Sequence, residues 1–201
     1  MTLQQLFLRV RHAPHTQLEQ ESASFFVERD GGTLRILFEE SNGRTDWINN
    51  FRFLALPRKP YKDMKHVWFA HRGFSRVWKV IEPHLSTCVT DPTVRRIEIA
   101  GYSHGAAVAL LCYEYCRYHR SDIPVVGFGF GAPRVVWGPI PKEVKARLEG
   151  FVVIRNGHDL VTHLPPVLFG YHHVGKVEKV GDHVGLIKDH YPQAYKEALE
   201  D

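Results

Sequence analysis

Cysteine is scarce in this sequence, so a fold held together by disulfides is not expected. The chain has three cysteines among 201 residues, an odd number that cannot pair completely. Cys112 and Cys116 are four residues apart on a predicted helix, where they share a face but are poorly placed to bridge each other. We therefore expect buried free thiols, which are typical of a reducing compartment, and a cytoplasmic protein.

Long apolar runs are also missing. Residues 1–15 contain a brief apolar stretch that Arg9 and Arg11 interrupt, without the continuous apolar core and the cleavage site of a signal peptide. No run approaches the length needed to cross a bilayer. The sequence therefore predicts neither a leader nor a transmembrane segment.

Neither sign of charge dominates the chain. It has 26 lysines and arginines against 22 aspartates and glutamates, which gives a formal net charge of +4 without a basic block. A nucleic-acid binder would need a basic stripe or a platform of stacking aromatic residues, and neither pattern is visible. We therefore expect no nucleic-acid partner, and we interpret the mild positive charge as an aid to solubility.

The remaining pattern is that of one α/β domain over residues 1–201. Hydrophobic residues make up 44% of the chain, which is enough for a sizeable core. Strand-like and helix-like segments alternate from about residue 97 to residue 155, which predicts a largely parallel central sheet with helices on both faces. The predicted strands are 24–29, 33–38, 94–100, 124–130, 151–155 and 172–180. The predicted helices are 73–85, 104–120, 141–148 and 189–199, with another from Thr45 or Asp46, and residues 54–62 are predicted to form a loop.

A short motif, Gly101-Tyr102-Ser103-His104-Gly105, lies where a predicted strand gives way to a predicted helix. Such a turn strains the serine backbone and lifts its hydroxyl above the sheet, and a side chain on either glycine would collide with a neighbouring element. The helix that follows offers backbone N–H groups to an oxyanion, and that of His104 is the natural first donor. A chance match is the alternative, but the flanking strand and helix favour Ser103 as a nucleophile.

A serine nucleophile needs a histidine base and an acid that orients it. In proteins whose serine lies at such a strand-to-helix turn, the acid precedes the histidine in the chain. Asp159 follows the predicted strand 151–155, where the acid is expected; the alternative is a solvated loop aspartate. His190, at the start of the predicted closing helix, has the position expected of the base, and His183 is the second choice. The other histidines after Asp159 are His163, which is too close to it in sequence, and His172 and His173, which begin a predicted strand.

Six segments in chain order carry a resemblance to a known family. They are FEESNGRTDW (38–47), AHRGF (70–74), GYSHG (101–105), FGAPRVV (130–136), NGHDLVTHLPP (156–166) and DHYPQAY (189–195). Together they resemble the class 3 lipases, the fungal triacylglycerol lipases and their plant and bacterial relatives. The Gly-Ala-Pro-Arg-Val segment is not catalytic in that family, yet it is far more specific to it than the nucleophile elbow. The resemblance implies an α/β-hydrolase fold.

The resemblance also implies roles for individual residues. Ser103 matches the nucleophile, Asp159 the acid and His190 the base. Ser41 falls on the oxyanion position, where the family's threonine or serine gives its backbone N–H, and His104 gives the second N–H. No metal or organic cofactor is implied.

The family's lid helix corresponds to residues 44–53 of this chain. Its apolar side chains, Trp47, Ile48 and Phe51 among them, would suit an acyl chain, and they would equally suit core packing. Before the lid, Glu39-Glu40 replace the family's Arg-Gly, so two carboxylates lie near the oxyanion position. We expect both to point outward, because burying them unpaired would be costly.

These residues together predict a serine carboxylic-ester hydrolase that cleaves acyl esters through an acyl-enzyme. The expected substrate is a small-molecule or lipid ester with a short to medium acyl chain, and a transient contact with a lipid surface fits such a substrate. The alternative is a catalytically inactive hydrolase fold that serves as a binding module.

Overall fold

The computed structural model describes residues 1–19, 23–39, 54–182 and 184–200. In chain order the strands are β1 (Thr16–Leu18), β2 (Ala23–Asp30), β3 (Thr33–Phe38), β4 (Ala55–Arg58), β5 (Trp68–His71), β6 (Arg96–Tyr102), β7 (Val125–Phe130), β8 (Val136–Trp137), β9 (Phe151–Asn156), β10 (Tyr171–His172) and β11 (Lys176–Val180). The α-helices are α1 (Leu3–His12), α2 (Arg72–Thr90), α3 (His104–His119), α4 (Lys142–Leu148) and α5 (Pro192–Ala198). Three 3-10 turns, Leu160–His163, Val167–Phe169 and Lys188–His190, lie in the C-terminal third.

Within these ranges the central sheet has seven strands, in the order β1-β2-β3-β6-β7-β9-β11. The pairs from β3 to β11 are all parallel, and the antiparallel strands β1 and β2 complete one edge. This arrangement confirms the predicted parallel sheet and the predicted strands 24–29 and 33–38, which pair as an antiparallel hairpin. Because parallel strands share a direction, the loops after β6, β7 and β9 all emerge on the same side of the sheet, at the carboxyl ends of these strands.

Both faces of the sheet are covered, because side chains alternate along each strand. On β6, Ile97 and Ile99 pack in the core that contains helices α2 and α3. Ala100 and Tyr102 face the opposite side, in a smaller core with Phe7 of helix α1. Helix α1 was not predicted; its Thr2 and Gln5 form a reciprocal capping box that satisfies N–H groups of the first turn.

A second, antiparallel sheet has the order β10-β8-β5-β4. The prediction that residues 54–62 form only a loop was wrong, because Ala55–Arg58 pairs with Trp68–His71. The prolines of this segment suggested a loop, but β4 is an edge strand, where a missing backbone donor is tolerated.

The C-terminal segment differs from the prediction in two places. The predicted strand 172–180 is divided at Gly175, so that β10 pairs with β8 while β11 pairs with β9. Gly175 has φ +89°, and a Cβ there would lie 2.3 Å from the carbonyl oxygen of Phe151, so the chain turns sharply at this point. The closing helix begins at Pro192 rather than at Asp189, since proline suits the first turn of a helix.

The cysteines are free thiols, as predicted. The sulfur atoms of Cys112 and Cys116 lie 4.0 Å apart inside helix α3, and both side chains are buried. Of the helices within the described ranges, none combines the length and the apolar character that a membrane span requires.

Candidate active site

Ser103 lies at a strained turn between strand β6 and helix α3. Its φ of 54° and ψ of −122° are rarely adopted by a residue with a side chain. Both flanking glycines are required sterically. A Cβ on Gly101 would lie 2.4 Å from the carbonyl oxygen of Gly105, and one on Gly105 would lie 2.5 Å from that of Phe38. The pentapeptide is therefore built as the sequence predicts for a nucleophile elbow.

The structure brings Ser103, His190 and Asp159 together in one hydrogen-bonded line. The Oγ atom of Ser103 is 2.7 Å from His190 Nε2, and His190 Nδ1 is 2.8 Å from Asp159 Oδ2. A carboxylate can only accept, so Nδ1 carries the ring proton and Nε2 is left to accept from the serine hydroxyl. Ser103 and Asp159 are fully buried and His190 is 7% exposed, which strengthens the interactions by excluding water.

Local structure fixes the position of Asp159. The residue follows strand β9 and caps the 3-10 turn Leu160–His163. Its Oδ1 accepts from the backbone N–H of Val161 over 2.9 Å, and its own N–H donates to the carbonyl of Asn156 over 2.9 Å. One carboxylate oxygen is thus held by the backbone while the other faces the imidazole.

Tyr195 of helix α5 is a further member of this set that sequence reasoning missed. Its hydroxyl donates to Asp159 Oδ2 over 2.7 Å and accepts from the backbone N–H of Asn156 over 3.1 Å. Burial and the nearby Asp159 charge raise the pKa of the phenol well above its usual value, so the group remains a donor. Tyr195 ends the DHYPQAY segment, but nothing local in the sequence indicates its contact with Asp159, because that contact depends on how helix α5 docks.

Tyr102 and Asp189 hold the loop that carries His190. The ring of Tyr102 stacks on the imidazole with centroids 5.3 Å apart and planes 17° apart, and its hydroxyl donates to the His190 carbonyl. The buried carboxylate of Asp189 accepts from the backbone N–H groups of His158 and Gly185, over 3.0 and 2.8 Å. The bond to His158 connects the loop of His190 to the loop of Asp159. Neither Tyr102 nor Asp189 was singled out for this role from the sequence.

Gly131 of the FGAPRVV segment packs against His190 and Asp159, which gives this segment a structural role beside the site. It has φ +61°, and a Cβ there would lie 2.9 Å from His190 Cε1 and 3.0 Å from Asp159 Oδ2. The backbone of this segment therefore packs directly against the imidazole–carboxylate pair, and a side chain would push them apart.

His104 is the first residue of helix α3, where backbone N–H groups point outward along the helix axis. Its ring contacts Phe74 edge-on at 5.2 Å. Burial lowers the pKa of the imidazole to about 4, with a smaller effect from His71. The side chain is therefore neutral at pH 7 and adds no charge beside the site.

Glu39, one of the two departures before the oxyanion position, is paired. Its carboxylate is 2.6 Å from Arg11 Nη1 and 3.5 Å from His15 Nδ1. The Arg11 guanidinium also lies over the Tyr102 ring, 5.0 Å from its centroid. The Glu39 charge is thus directed toward helix α1 and its C-terminal side.

Other residues named from the sequence fall elsewhere. His173 Nε2 contacts the carbonyl of Thr162 at 2.8 Å, and neither His163 nor His172 forms a hydrogen bond with Ser103 or Asp159 within the described ranges. Among the described residues, no group of three or more histidine, cysteine or acidic side chains is arranged to hold a metal ion. The predicted oxyanion residue, the predicted lid residues and the second-choice base lie outside those ranges: Ser41, Trp47, Ile48, Phe51 and His183.

A sequence model of the family described as Lipase (class 3) matches residues 36–169. The chain belongs to the class 3 lipase family. Among its relatives in this family, it is 28% identical to secreted mono- and diacylglycerol lipase 1 of Fusarium solani over 133 residues, 64% of this chain and 38% of that protein. It is 28% identical to a lipase of Rhizomucor miehei over 152 residues, 72% of this chain and 40% of that protein.

The solved structure of the Rhizomucor miehei triacylglyceride lipase superposes with a TM-score of 0.69 at 23% identity, covering 84% of this chain and 65% of the other. This class 3 lipase family member therefore has the α/β-hydrolase fold, as predicted. The chain spans 38% to 40% of the length of the two curated relatives that it matches.

Proposed function

We propose that this protein is a serine carboxylic-ester hydrolase, with Ser103 as nucleophile, His190 as base and Asp159 as acid. The observation that carries the proposal is the buried line from Ser103 Oγ through His190 to Asp159, with contacts of 2.7 and 2.8 Å. The first distance suits proton transfer from a nucleophile to its base, and the second suits the hydrogen bond that orients the base. The likeness to class 3 lipases supports the same chemistry.

In the first half of the reaction, Ser103 Oγ attacks the ester carbonyl carbon while its proton passes to His190 Nε2. The imidazolium that forms is stabilised by the Asp159 carboxylate, which also keeps the ring in the required tautomer. Tyr195 donates a further hydrogen bond to the same carboxylate oxygen.

The negative charge that develops on the carbonyl oxygen needs hydrogen-bond donors in place before reaction. The backbone N–H of His104, at the amino end of helix α3, is one such donor, and that of Ser41 is the second predicted one. Loss of a single donor in a comparable site slows turnover about 10²–10³-fold. The neutral His104 ring adds no charge to this region, and the charge of Glu39 is balanced by Arg11.

In the second half, the imidazolium returns its proton to the leaving alcohol oxygen as the carbon–oxygen ester bond breaks. Water, deprotonated by His190, then attacks the acyl-enzyme, and the carboxylic acid and free Ser103 are released.

Exposed apolar side chains support a lipid ester as substrate and a transient contact with a lipid surface. The loop that carries Asp159 exposes Val167, Leu168 and Phe169, with Leu168 97% exposed. The loop that carries His190 exposes Ile187, which is 55% accessible. Exposed apolar side chains on the loops that supply Asp159 and His190 favour contact with an apolar substrate or its interface.

Hydrolysis of p-nitrophenyl esters from acetate to palmitate, with wild type beside Ser103→Ala, tests the proposal. We expect wild-type activity that falls by at least about 10⁴-fold in the variant, and the chain-length optimum then separates an esterase from a lipase. A fluorophosphonate probe should label wild type and not Ser103→Ala. A folded wild type that is neither labelled nor active would instead support an inactive binding module.

A further inference from the structure

A groove of about 650 Å³ lies between one face of helix α2 and strand β4 with the segment that follows it. None of the described residues that line it belongs to the hydrogen-bonded set around Ser103. The esterase proposal therefore leaves this concave surface without a role.

The charged side chains of the groove are mostly basic. Arg58 and Lys59 come from β4 and its continuation, and Arg76 and Lys79 come from helix α2, three residues apart and hence on one side of it. Glu82 is the single carboxylate among the described lining residues, so three positive charges are in excess. Within the described ranges, no carboxylate oxygen comes within 4.0 Å of these four cations.

Two buried donors of the groove lack acceptors. Ser75 is 8% exposed, and its Oγ has no hydrogen-bond partner among the described residues. The same holds for the buried Nε of Arg58, whose guanidinium lies over the Trp68 ring, 5.2 Å from its centroid. A buried donor without a partner is uncommon and costs free energy, so a ligand that brings acceptors would relieve that cost.

The chemistry of a matching ligand follows from these donors. A carboxylate carries one negative charge, whereas a phosphomonoester carries about −1.5 to −2 at pH 7 and offers three acceptor oxygens. Two arginines and two lysines in one groove match the charge and the acceptor oxygens of a phosphomonoester better than those of a carboxylate. The rim also exposes Leu56, Pro57 and Pro60, which can contact the organic part of a phosphate ester.

We propose that the groove binds a phosphomonoester group, with Arg58, Arg76 and the two lysines neutralising it and Ser75 donating its hydroxyl. The group can come from a lipid headgroup or from a soluble phosphate ester. Binding at this groove does not depend on hydrolysis at Ser103, so the two proposals fail independently.

Two measurements on the full chain distinguish the sources. Co-sedimentation compares vesicles of phosphatidylcholine with vesicles that contain one fifth phosphatidic acid. Calorimetry with glycerol 3-phosphate and with inorganic phosphate detects a soluble ligand. Binding to phosphatidic acid vesicles in excess of neutral vesicles identifies a lipid headgroup, and binding in calorimetry alone identifies a soluble phosphate.

Two groove variants and one control test the site itself. The triple variant Lys59→Gln, Arg76→Gln, Lys79→Gln removes exposed cations, and we expect it to bind at least about tenfold more weakly. The matched control Lys65→Gln, Lys142→Gln, Lys145→Gln removes three equally exposed cations elsewhere and should change binding less than about twofold. Ser75→Ala keeps the net charge and suits a helix, and it should weaken binding by about tenfold through the lost hydrogen bond.

Weakening in the groove triple and in Ser75→Ala, with the control unchanged, supports the site. Equal weakening in both triples would mean that binding follows net charge alone, and the proposal would be wrong. It would also be wrong if folded wild type bound neither vesicles nor soluble phosphate, or if Ser75→Ala bound like wild type. Circular dichroism verifies folding of every variant.

Discussion

The phenol of Tyr195 and the carboxylate of Asp159 share a hydrogen bond of 2.7 Å on the very oxygen that faces His190. Asp159 Oδ2 therefore receives two donors, the imidazole Nδ1–H and the phenol, while Oδ1 receives the backbone N–H of Val161. The directions of these three donors fix the plane of the carboxylate. Asp159 is thus positioned by helix α5 as well as by its own loop.

Removing that phenol is the first prediction. Tyr195→Phe keeps the ring and should lower kcat about tenfold with KM nearly unchanged, because a hydrogen bond to a charged group is lost from a buried site. Steady-state kinetics on p-nitrophenyl butyrate measure both constants. Tyr171→Phe is a suitable control, since this tyrosine is also fully buried and its hydroxyl has no hydrogen-bond partner among the described residues. Equal losses in the two variants would show that Tyr195 acts only through general packing.

Gly131 gives a second prediction with a matched control. Gly131→Ala places a methyl group 2.9 Å from His190 Cε1, and kcat should fall at least about 100-fold as the imidazole is displaced. Gly138 has nearly the same φ, +63°, but nothing lies within 4 Å of a Cβ there. Gly138→Ala should therefore show the same backbone strain, a cost of about 1 kcal/mol in stability, and near wild-type kcat. If both variants lost activity alike, strain rather than contact would be the cause.

Acid should destabilise the fold through His173. Burial lowers the pKa of this imidazole to about 4, and nearby Arg134 acts in the same direction. Between pH 6.5 and pH 4 the unfolded chain binds a proton that the folded chain does not, so stability falls as the pH falls through this window. The slope is at most about 1.4 kcal/mol per pH unit for each such group, and His104 adds to it.

Denaturant unfolding at several pH values checks this prediction. His173→Gln should flatten the pH dependence between pH 6.5 and 4, while His66→Gln, at an exposed position, should leave the slope as it is. A wild type whose stability is constant across this window would contradict the assignment.

The ion pair between Arg11 and Glu39 provides a fourth prediction. Arg11→Gln leaves the Glu39 carboxylate without its guanidinium, near the predicted oxyanion residue, and should lower kcat/KM about three- to tenfold. Adding Glu39→Gln to that variant should recover most of the loss, because the unpaired charge is gone. Arg9 lies on the same helix as Arg11 and pairs with Glu28 of strand β2. Arg9→Gln, which breaks that ion pair, should have little effect on kcat/KM. A double variant no faster than Arg11→Gln would point to the lost contact with Tyr102 instead.

Much of the fold could be predicted because its signals are local. The hairpin between β2 and β3, helix α3 and strands β7 and β9 follow from periodicity and turn residues. Strand β4 could not be predicted, because its pairing with β5 depends on tertiary contacts and its proline argued against a strand. The predicted starts of strand β11 and helix α5 were several residues too early. Periodicity alone did not show that the chain turns at Gly175 or that the helix begins at Pro192.

For the candidate site, the sequence supplied the three residues of the hydrogen-bonded line but not what holds them. Asp159 and His190 were identified by their order and by their position after predicted strands. Tyr195, Tyr102 and Gly131 were missed in these roles because each acts through a contact between distant segments. The oxyanion role of Ser41 and the lid around Trp47, Ile48 and Phe51 stay predictions.

The order of the parallel strands has a consequence for the protein during its own synthesis. From β6 through β7 and β9 to β11, each later strand is added outward from the middle of the sheet. The serine elbow is therefore made first, whereas His190 comes 87 residues later, and the Tyr195 phenol that bonds to Asp159 is translated later still. A partly synthesised chain therefore holds Ser103 without the imidazole and the carboxylate of its hydrogen-bonded line, which can form only after both later segments have been translated.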